Sequence, residues 1–458
     1  MTKAVLDIHE RPRLLQLITF SLQHMFAMLG STILVPKLTG LSPSIALLTS
    51  GIATIIFLLV TRFRVPAYLG SSFAFIAPMG VAMTAQAANG GEIGPGGAMI
   101  GAMAVGVVYG IVSLLIWKTG YKWIMRILPP IVVGPVIMVI GLGLAGTAVD
   151  MAMNKPLANG LSEYHFSYFI IALITLAAAI IINNFFKGVM STMPIIIGLV
   201  VGYVSSLLSD KLFGTSFIDF TAVSSAKFFQ IPDFLLPGVD YDFTLNSTIL
   251  FAMVPIVIVT ISEHIGHQLV LGKVVKQNFI KNPGLNRSLL GDGLGTFVSA
   301  LLGGPPKTTY GENIGVLVLT RVFSVWVIGG AALFATLLAF SGTLMALVDT
   351  IPRPVLGGVS ILLFGIIASS GLRMLVENKI DFDHKRNLVI ASVILILGIG
   401  GGKLLWHNAF TIKGLDFQIE GMALASIVGV LLNIILPGKA QPDIELQAEE
   451  QLEKELKK

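Results

Sequence analysis

The chain contains no cysteine, which rules out disulfides, thiolate nucleophiles and Cys-ligated metals. Charge is scarce too. Asp, Glu, Lys and Arg make up 12% of the 458 residues, against roughly 25% in soluble globular domains. No GxxxxGK[ST] stretch occurs, so the chain shows no means of gripping ATP phosphates, and an ion gradient is the natural energy source. The net charge of +5 is scattered through loops without a basic patch, so it does not signal nucleic acid. No nucleophile–base arrangement for an enzyme is visible. What remains is 54% apolar residues and a mean hydropathy of +0.86, gathered in long runs. That pattern defines a polytopic membrane protein. The run behind Met1–Arg13 spans Leu14–Pro36. It exceeds the roughly 7–15 residues of a signal-peptide core and is followed by no convincing cleavage site. It is expected to stay as the first span.

Fourteen apolar segments can be counted, at about 14–36, 43–61, 68–86, 96–117, 129–149, 167–185, 190–208, 247–272, 284–303, 310–320, 322–342, 354–374, 386–403 and 419–436. An even number places both termini on one side. The loops on that side hold 22 of the 30 Lys and Arg, which predicts cytoplasmic termini. The outer loop Ser209–Asn246 is uninformative, and the charged tail 438–458 is expected to be a solvated helix.

The tenth segment is too short to cross alone, since a full span needs about 20 residues. The stretch Pro305–Arg321, PPKTTYGENIGVLVLTR, lies between apolar segments yet carries Lys307, Glu312 and Asn313 among prolines and glycines. Irregular backbone at membrane depth is tolerated only inside protein or along a wet cavity. The segment is therefore expected to be a half-helix completed by an extended piece. The third segment, with Pro66 to Phe75 before Pro78, has the same look. The chain also repeats itself. Leu128–Val136, LPPIVVGPV, resembles Ile351–Val359, IPRPVLGGV, and Gln23-His24 answers Glu263-His264. Two halves of seven segments must point in opposite directions, and inverted repeats with matching broken helices indicate a secondary transporter with a midplane site.

Ionisable residues at this depth are functional candidates by default. Glu263 and His267 are four apart and share a helix face. They could be a proton-handling pair, which is favoured, or a structural hydrogen-bonded pair. His264 points elsewhere, and packing or a polar contact is the favoured reading for it. Asp292 stands between Gly291 and Gly293. It could serve ion coupling or hold a neighbouring span, with neither preferred. For His24 beside Gln23 the structural reading is somewhat ahead. A zinc helix is disfavoured, because the histidines are three apart rather than four and the acid precedes both. Gly141–Gly146 fits GxGxxG but lies inside an apolar segment, where close helix packing is its meaning.

Glu312-Asn-Ile-Gly315 through Thr320-Arg321 resembles the signature of the nucleobase–ascorbate transporters. Gln23-His24, Pro66–Pro78, Glu263 through His267 and Pro306–Gly315 resemble the bacterial uracil-transporting members, over nearly the full chain from Glu10 to about Pro437. The resemblance implies an all-α polytopic fold of fourteen segments in a seven-plus-seven inverted repeat, with short antiparallel strands interrupting segments three and ten. It implies a core domain from 1–128 and 247–342 and a gate domain from 129–246 and 343–437. It implies a homodimer in a bacterial cell membrane that imports uracil with protons and needs no other cofactor. Position by position, Glu263 and Glu312 would bind the base with His267 alongside. The backbone N–H groups of Phe73 and Gly311 would face its carbonyls, and Tyr310 and Phe73 would flank its ring. Glu263, His267, Asp292 and His24 would carry the coupling proton. An acid at 312 favours uracil over xanthine or urate, whereas Asp292 matches purine-type members. The alternatives are a purine or ascorbate carrier of the same fold, a channel, or an intramembrane hydrolase.

Overall fold

The computed structural model describes residues 5–85, 92–157, 161–188, 190–406 and 417–438. The tail from 439 onward, expected as a helix, lies outside them. In chain order the elements are α1 (Leu14–Thr39), α2 (Pro43–Val60), β1 (Leu69–Ser71), a 3-10 turn over Phe73–Phe75, α3 (Ile76–Met83), α4 (Pro95–Thr119) and α5 (Lys122–Ile127). Next come α6 (Pro130–Gly143), α7 (Ala145–Met153), the β2–β3 hairpin (Asn154–Pro156, Ser162–Tyr164), α8 (Phe166–Phe185), α9 (Pro194–Phe213) and α10 (Thr221–Ser225). The second half runs α11 (Ser247–Met253), α12 (Ile256–Val275), α13 (Leu285–Leu301), β4 (Lys307–Thr309), α14 (Gly311–Thr320), α15 (Val325–Leu338) and α16 (Gly342–Asp349). It closes with α17 (Arg353–Glu377), α18 (Lys385–Ile399), the β5–β6 hairpin (Lys403–Trp406, Phe417–Glu420) and α19 (Gly421–Ile435).

Among the described residues, eight helical stretches are long and apolar enough to cross a membrane, and four shorter apolar helices accompany them. Proline sets several starts. Pro43, Pro95, Pro130 and Pro194 each open a helix, where the missing N–H costs nothing and φ is already helical. Outward-facing Leu114, Ile181, Leu212, Ile396 and Ile435 are exposed, as an apolar solvent permits.

The helices fall into two packed groups. One joins α1, α2, α4, α13 and α15; the other joins α6, α7, α8, α9, α17, α18 and α19. Small residues set the closest approaches. A Cβ on Gly293 of α13 would come within 2.5 Å of the Tyr109 Cβ of α4, and one on Gly291 within 2.7 Å of the Phe57 ring of α2. Only glycine lets both helices draw in on either side of Asp292. In the second group Gly134 of α6 faces Leu375 and Gly371 of α17, and Gly357 of α17 faces Met151 and Ala152 of α7. The matching glycines of the short repeat thus sit at opposite ends of the packing between α17 and the successive helices α6 and α7.

Two three-residue strands meet inside the first group. β1 and β4 pair antiparallel, with Leu69 opposite Thr309, Gly70 opposite Thr308 and Ser71 opposite Lys307. Every residue of both strands is buried. Extended chain here must find partners for each polar group it withdraws from water. The neighbours supply them. The Tyr310 N–H donates to Tyr68 O at 3.0 Å and the Ser72 N–H to Pro306 O at 2.9 Å. The Thr54 hydroxyl of α2 accepts from the Leu69 N–H at 2.9 Å. The Thr296 hydroxyl of α13 accepts from the Lys307 N–H at 3.0 Å and donates to its carbonyl at 3.1 Å. The loop 209–246, which composition left blank, folds back over this group. The Gln230 N–H donates to Phe340 O at 2.9 Å, and the Phe229 ring stacks on Phe340 at 5.6 Å.

Candidate functional site

The strand crossing ends at two helix starts. β1 leads into the 3-10 turn at Phe73, and β4 leads through Tyr310 into α14 at Gly311. The first N–H groups of each helix have no intrahelical acceptor, and a helix start favours negative charge or acceptor oxygens. Glu312 stands in the first turn of α14. Its Oε1 accepts from the Ser31 hydroxyl of α1 at 3.3 Å. On the next residue, the Asn313 Oδ1 lies 2.6 Å from the His24 Nδ1 of the same helix. An amide oxygen only accepts, so His24 Nδ1 carries the proton. His24 and Ser31 are seven apart, two turns along one face of α1. That face therefore presents both partners of the Glu312-Asn313 pair.

α12 supplies the opposite wall. Glu263 lies within electrostatic range of both Glu312 and Asp292. Glu263, His267, Gly311 and Glu312 are all half-buried, whereas Asn313, His264 and Asp292 are closed off. The two candidate carboxyls thus keep an accessible face deep inside the protein. His267 shares the face of Glu263, as four-residue spacing predicts, but no hydrogen bond joins them among the described contacts. The His267 Nδ1 sits 3.2 Å from the Thr309 hydroxyl of β4, and its Nε2 lies against Gly311, where an added Cβ would approach it to 3.0 Å. The imidazole therefore braces the strand end, leaving Glu263 unbraced by it.

Asp292 faces protein, not lipid. Its Oδ2 lies 2.8 Å from His264 Nδ1, and His264 Nε2 lies 2.8 Å from the Ser288 hydroxyl. That hydroxyl donates to Leu285 O at 3.1 Å, so it can only accept from Nε2. One proton must then lie between Nδ1 and the Asp292 carboxylate, whichever atom holds it. His264, read from the sequence as a packing or polar-contact residue, makes this contact with no measurable exposure.

The aromatic candidates differ in placement. Phe73 meets Phe364 of α17 edge-on at 6.1 Å, so it reaches the second helix group. Tyr310 is 3% exposed. Its hydroxyl donates to Ser71 O at 2.9 Å, and its ring packs on Gly70, where any Cβ would collide. The ring is thus spent on the strand crossing, because a phenol at membrane depth needs an acceptor. A separate cleft of about 1150 Å³ between α4, α12 and α19 is lined by Met103, Val107, Trp123, Phe251, Phe297 and Ile427 among other apolar residues. None of the candidate residues borders it.

Sequence reasoning missed Ser31 and Thr309 as partners of Glu312 and His267. The seven-residue spacing from His24 could have flagged Ser31. Nothing comparable marks Thr309.

Fold and site together define a mostly helical, polytopic membrane transporter. Residues 15–405 match the family described as the Permease family. The chain is 58% identical over 441 residues to the uracil permease of Bacillus caldolyticus, covering 96% of each chain. It is 53% identical over 436 residues to the uracil permease of Bacillus subtilis strain 168, covering 95% of this chain and 96% of that one. In overall shape it resembles the transmembrane domain of the cyanobacterial bicarbonate transporter BicA, with a TM-score of 0.61 at 16% identity, over 93% of this chain and 98% of that one. That last likeness is one of fold alone. The chain belongs to this permease family, and is a transporter rather than an enzyme.

Proposed function

We propose that the protein imports uracil together with protons by alternating access. One observation carries the reading: Glu263 and Glu312 are both half-buried and lie within electrostatic range of each other, Glu312 in the first turn of α14. Uracil is flat and uncharged, with two ring N–H donors and two carbonyl acceptors. Two carboxyls and the N–H groups of Phe73 and Gly311 are the complementary set. The names of the relatives agree with this pyrimidine reading. A site built to pair each group rejects bases that leave one unpaired, at about 1–3 kcal/mol each. His267 holds the strand end beside the base, Phe73 covers one ring face, and Tyr310 borders the other through the backbone it positions. Asp292 matches purine-type carriers by residue type, but its carboxyl is occupied by His264, so selection falls to Glu312.

In this reading the chain has fourteen membrane segments in a seven-plus-seven inverted repeat, and β1 and β4 interrupt the third and tenth. The opposed placement of Gly134 and Gly357 supports it. The core domain is 1–128 with 247–342, and the gate domain is 129–246 with 343–437. The core moves against the gate and carries the base held between β1, α12 and α14. Glu263, His267, Asp292 and His24 handle the coupled proton, with Glu263 as the exchanging group. Both termini face the cytoplasm of a bacterium, and two copies form a homodimer in the lipid.

The selectivity reading is tested by thermal unfolding of purified protein with uracil, thymine, xanthine, uridine and ascorbate. A ligand at 100 times its dissociation constant stabilises by about 2.7 kcal/mol. Uracil should raise the midpoint by several degrees and xanthine should leave it unchanged. A rise with xanthine and none with uracil would replace this substrate by a purine.

A further inference from the structure

Lys307 has no part in the site just described, yet it is the most unusual residue in the fold. It sits in β4 with 1% exposure. Among the described residues no ion pair includes it. Its ammonium instead meets three oxygens: Ala46 O at 2.9 Å, Ser50 Oγ at 3.1 Å and Ser71 Oγ at 3.4 Å. Ala46 and Ser50 are one turn apart on α2, and Ser71 is the cross-strand partner of Lys307 itself. An ammonium has three donors and no acceptor, and three acceptors are what it finds. Intramembrane cations that lack a carboxylate partner rest on backbone carbonyls and hydroxyls. Neutral oxygens from a carbonyl and hydroxyls are also what a hard metal cation selects. The position is structural as well, since it ties α2 to both strands at the point where they cross.

We propose that the Lys307 ammonium is a built-in cation, seated in an oxygen-lined pocket at the β1–β4 crossing that would otherwise take a small alkali-metal ion. The crossing then holds its shape without an external ion, and the strand pair that presents Gly311 and Glu312 is indifferent to sodium. Removing the amine while leaving its oxygens vacates a pocket suited to sodium or lithium with a water molecule. This inference does not depend on which base is carried, and its test uses no substrate.

Purified protein is unfolded thermally in sodium, lithium or choline chloride at equal ionic strength. The wild-type midpoint should be the same in all three. Lys307→Ala should lose about 5 °C in choline and regain most of it, saturably, in sodium or lithium. Lys307→Met, which refills the volume without charge, should stay low in every salt. A wild type stabilised by sodium over choline, an alanine variant equally weak in all salts, or a methionine variant as stable as wild type would each overturn the proposal. Should the alanine variant fail to fold, Ser50→Asp carries the test with Lys307 in place. A carboxylate beside a resident ammonium should raise the midpoint, and a lowered midpoint overturns the assignment.

Discussion

Glu312→Ala should weaken uracil binding strongly, seen as a much smaller uracil-dependent rise in thermal midpoint while the ligand-free midpoint stays within a few degrees of wild type. Glu312 occupies the first turn of α14, where the helix start favours its charge, and Ser31 fixes one carboxyl oxygen at 3.3 Å. In the proposed site the carboxyl also accepts from one ring N–H of the base. Alanine removes the acceptor for one ring N–H and leaves that donor unpaired in a dry site. The penalty of about 1–3 kcal/mol is a loss of roughly 5- to 150-fold. Glu312→Gln keeps one acceptor oxygen and should lose less. The fold should survive, because Asn313 still holds the head of α14 to α1 and to Pro66 O once the Ser31–Glu312 bond is lost. Uracil stabilisation of the alanine variant equal to wild type would remove Glu312 from the site.

Glu263→Gln should separate binding from coupling. Glutamine keeps a carbonyl oxygen for the base but cannot take up and release a proton. In proteoliposomes the variant should exchange labelled for unlabelled uracil across the membrane. It should not accumulate uracil when an inward proton gradient is imposed. Glu263 suits this part because it is half-buried and within range of two other acids, Glu312 and Asp292. Asp292 is less suited to exchange with solvent, since it is closed off and engaged by His264. Accumulation by Glu263→Gln with normal dependence on the gradient would contradict this division of labour.

Much of the site could be read from the chain because charge at membrane depth is so costly. Glu263, Asp292, Lys307 and Glu312 stand out against apolar runs, and the prolines and glycines around Pro305–Gly311 mark the end of regular helix. The partners were not legible. Ser31, Thr54, Thr296 and Thr309 are hydroxyl residues of a kind common in apolar helices, and one that grips a strand looks like one that satisfies its own helix. Spacing placed Glu263 and His267 on a shared face but could not show that the imidazole turns to Thr309. Three-residue strands such as β1 and β4 are too short to display a period of two, so their register was beyond pattern reading. The β2–β3 hairpin and the folded-back loop of Gln230 lie in segments whose composition carries no periodicity at all.

A structure with uracil bound tests the central claim most directly. The base should lie between α12 and the β1–β4 crossing, its two ring N–H groups within about 3 Å of the Glu263 and Glu312 carboxyls and its carbonyl oxygens toward the Phe73 and Gly311 amides. Uracil seated elsewhere, for example in the apolar cleft beside Trp123, with both carboxyls left unengaged, would contradict it.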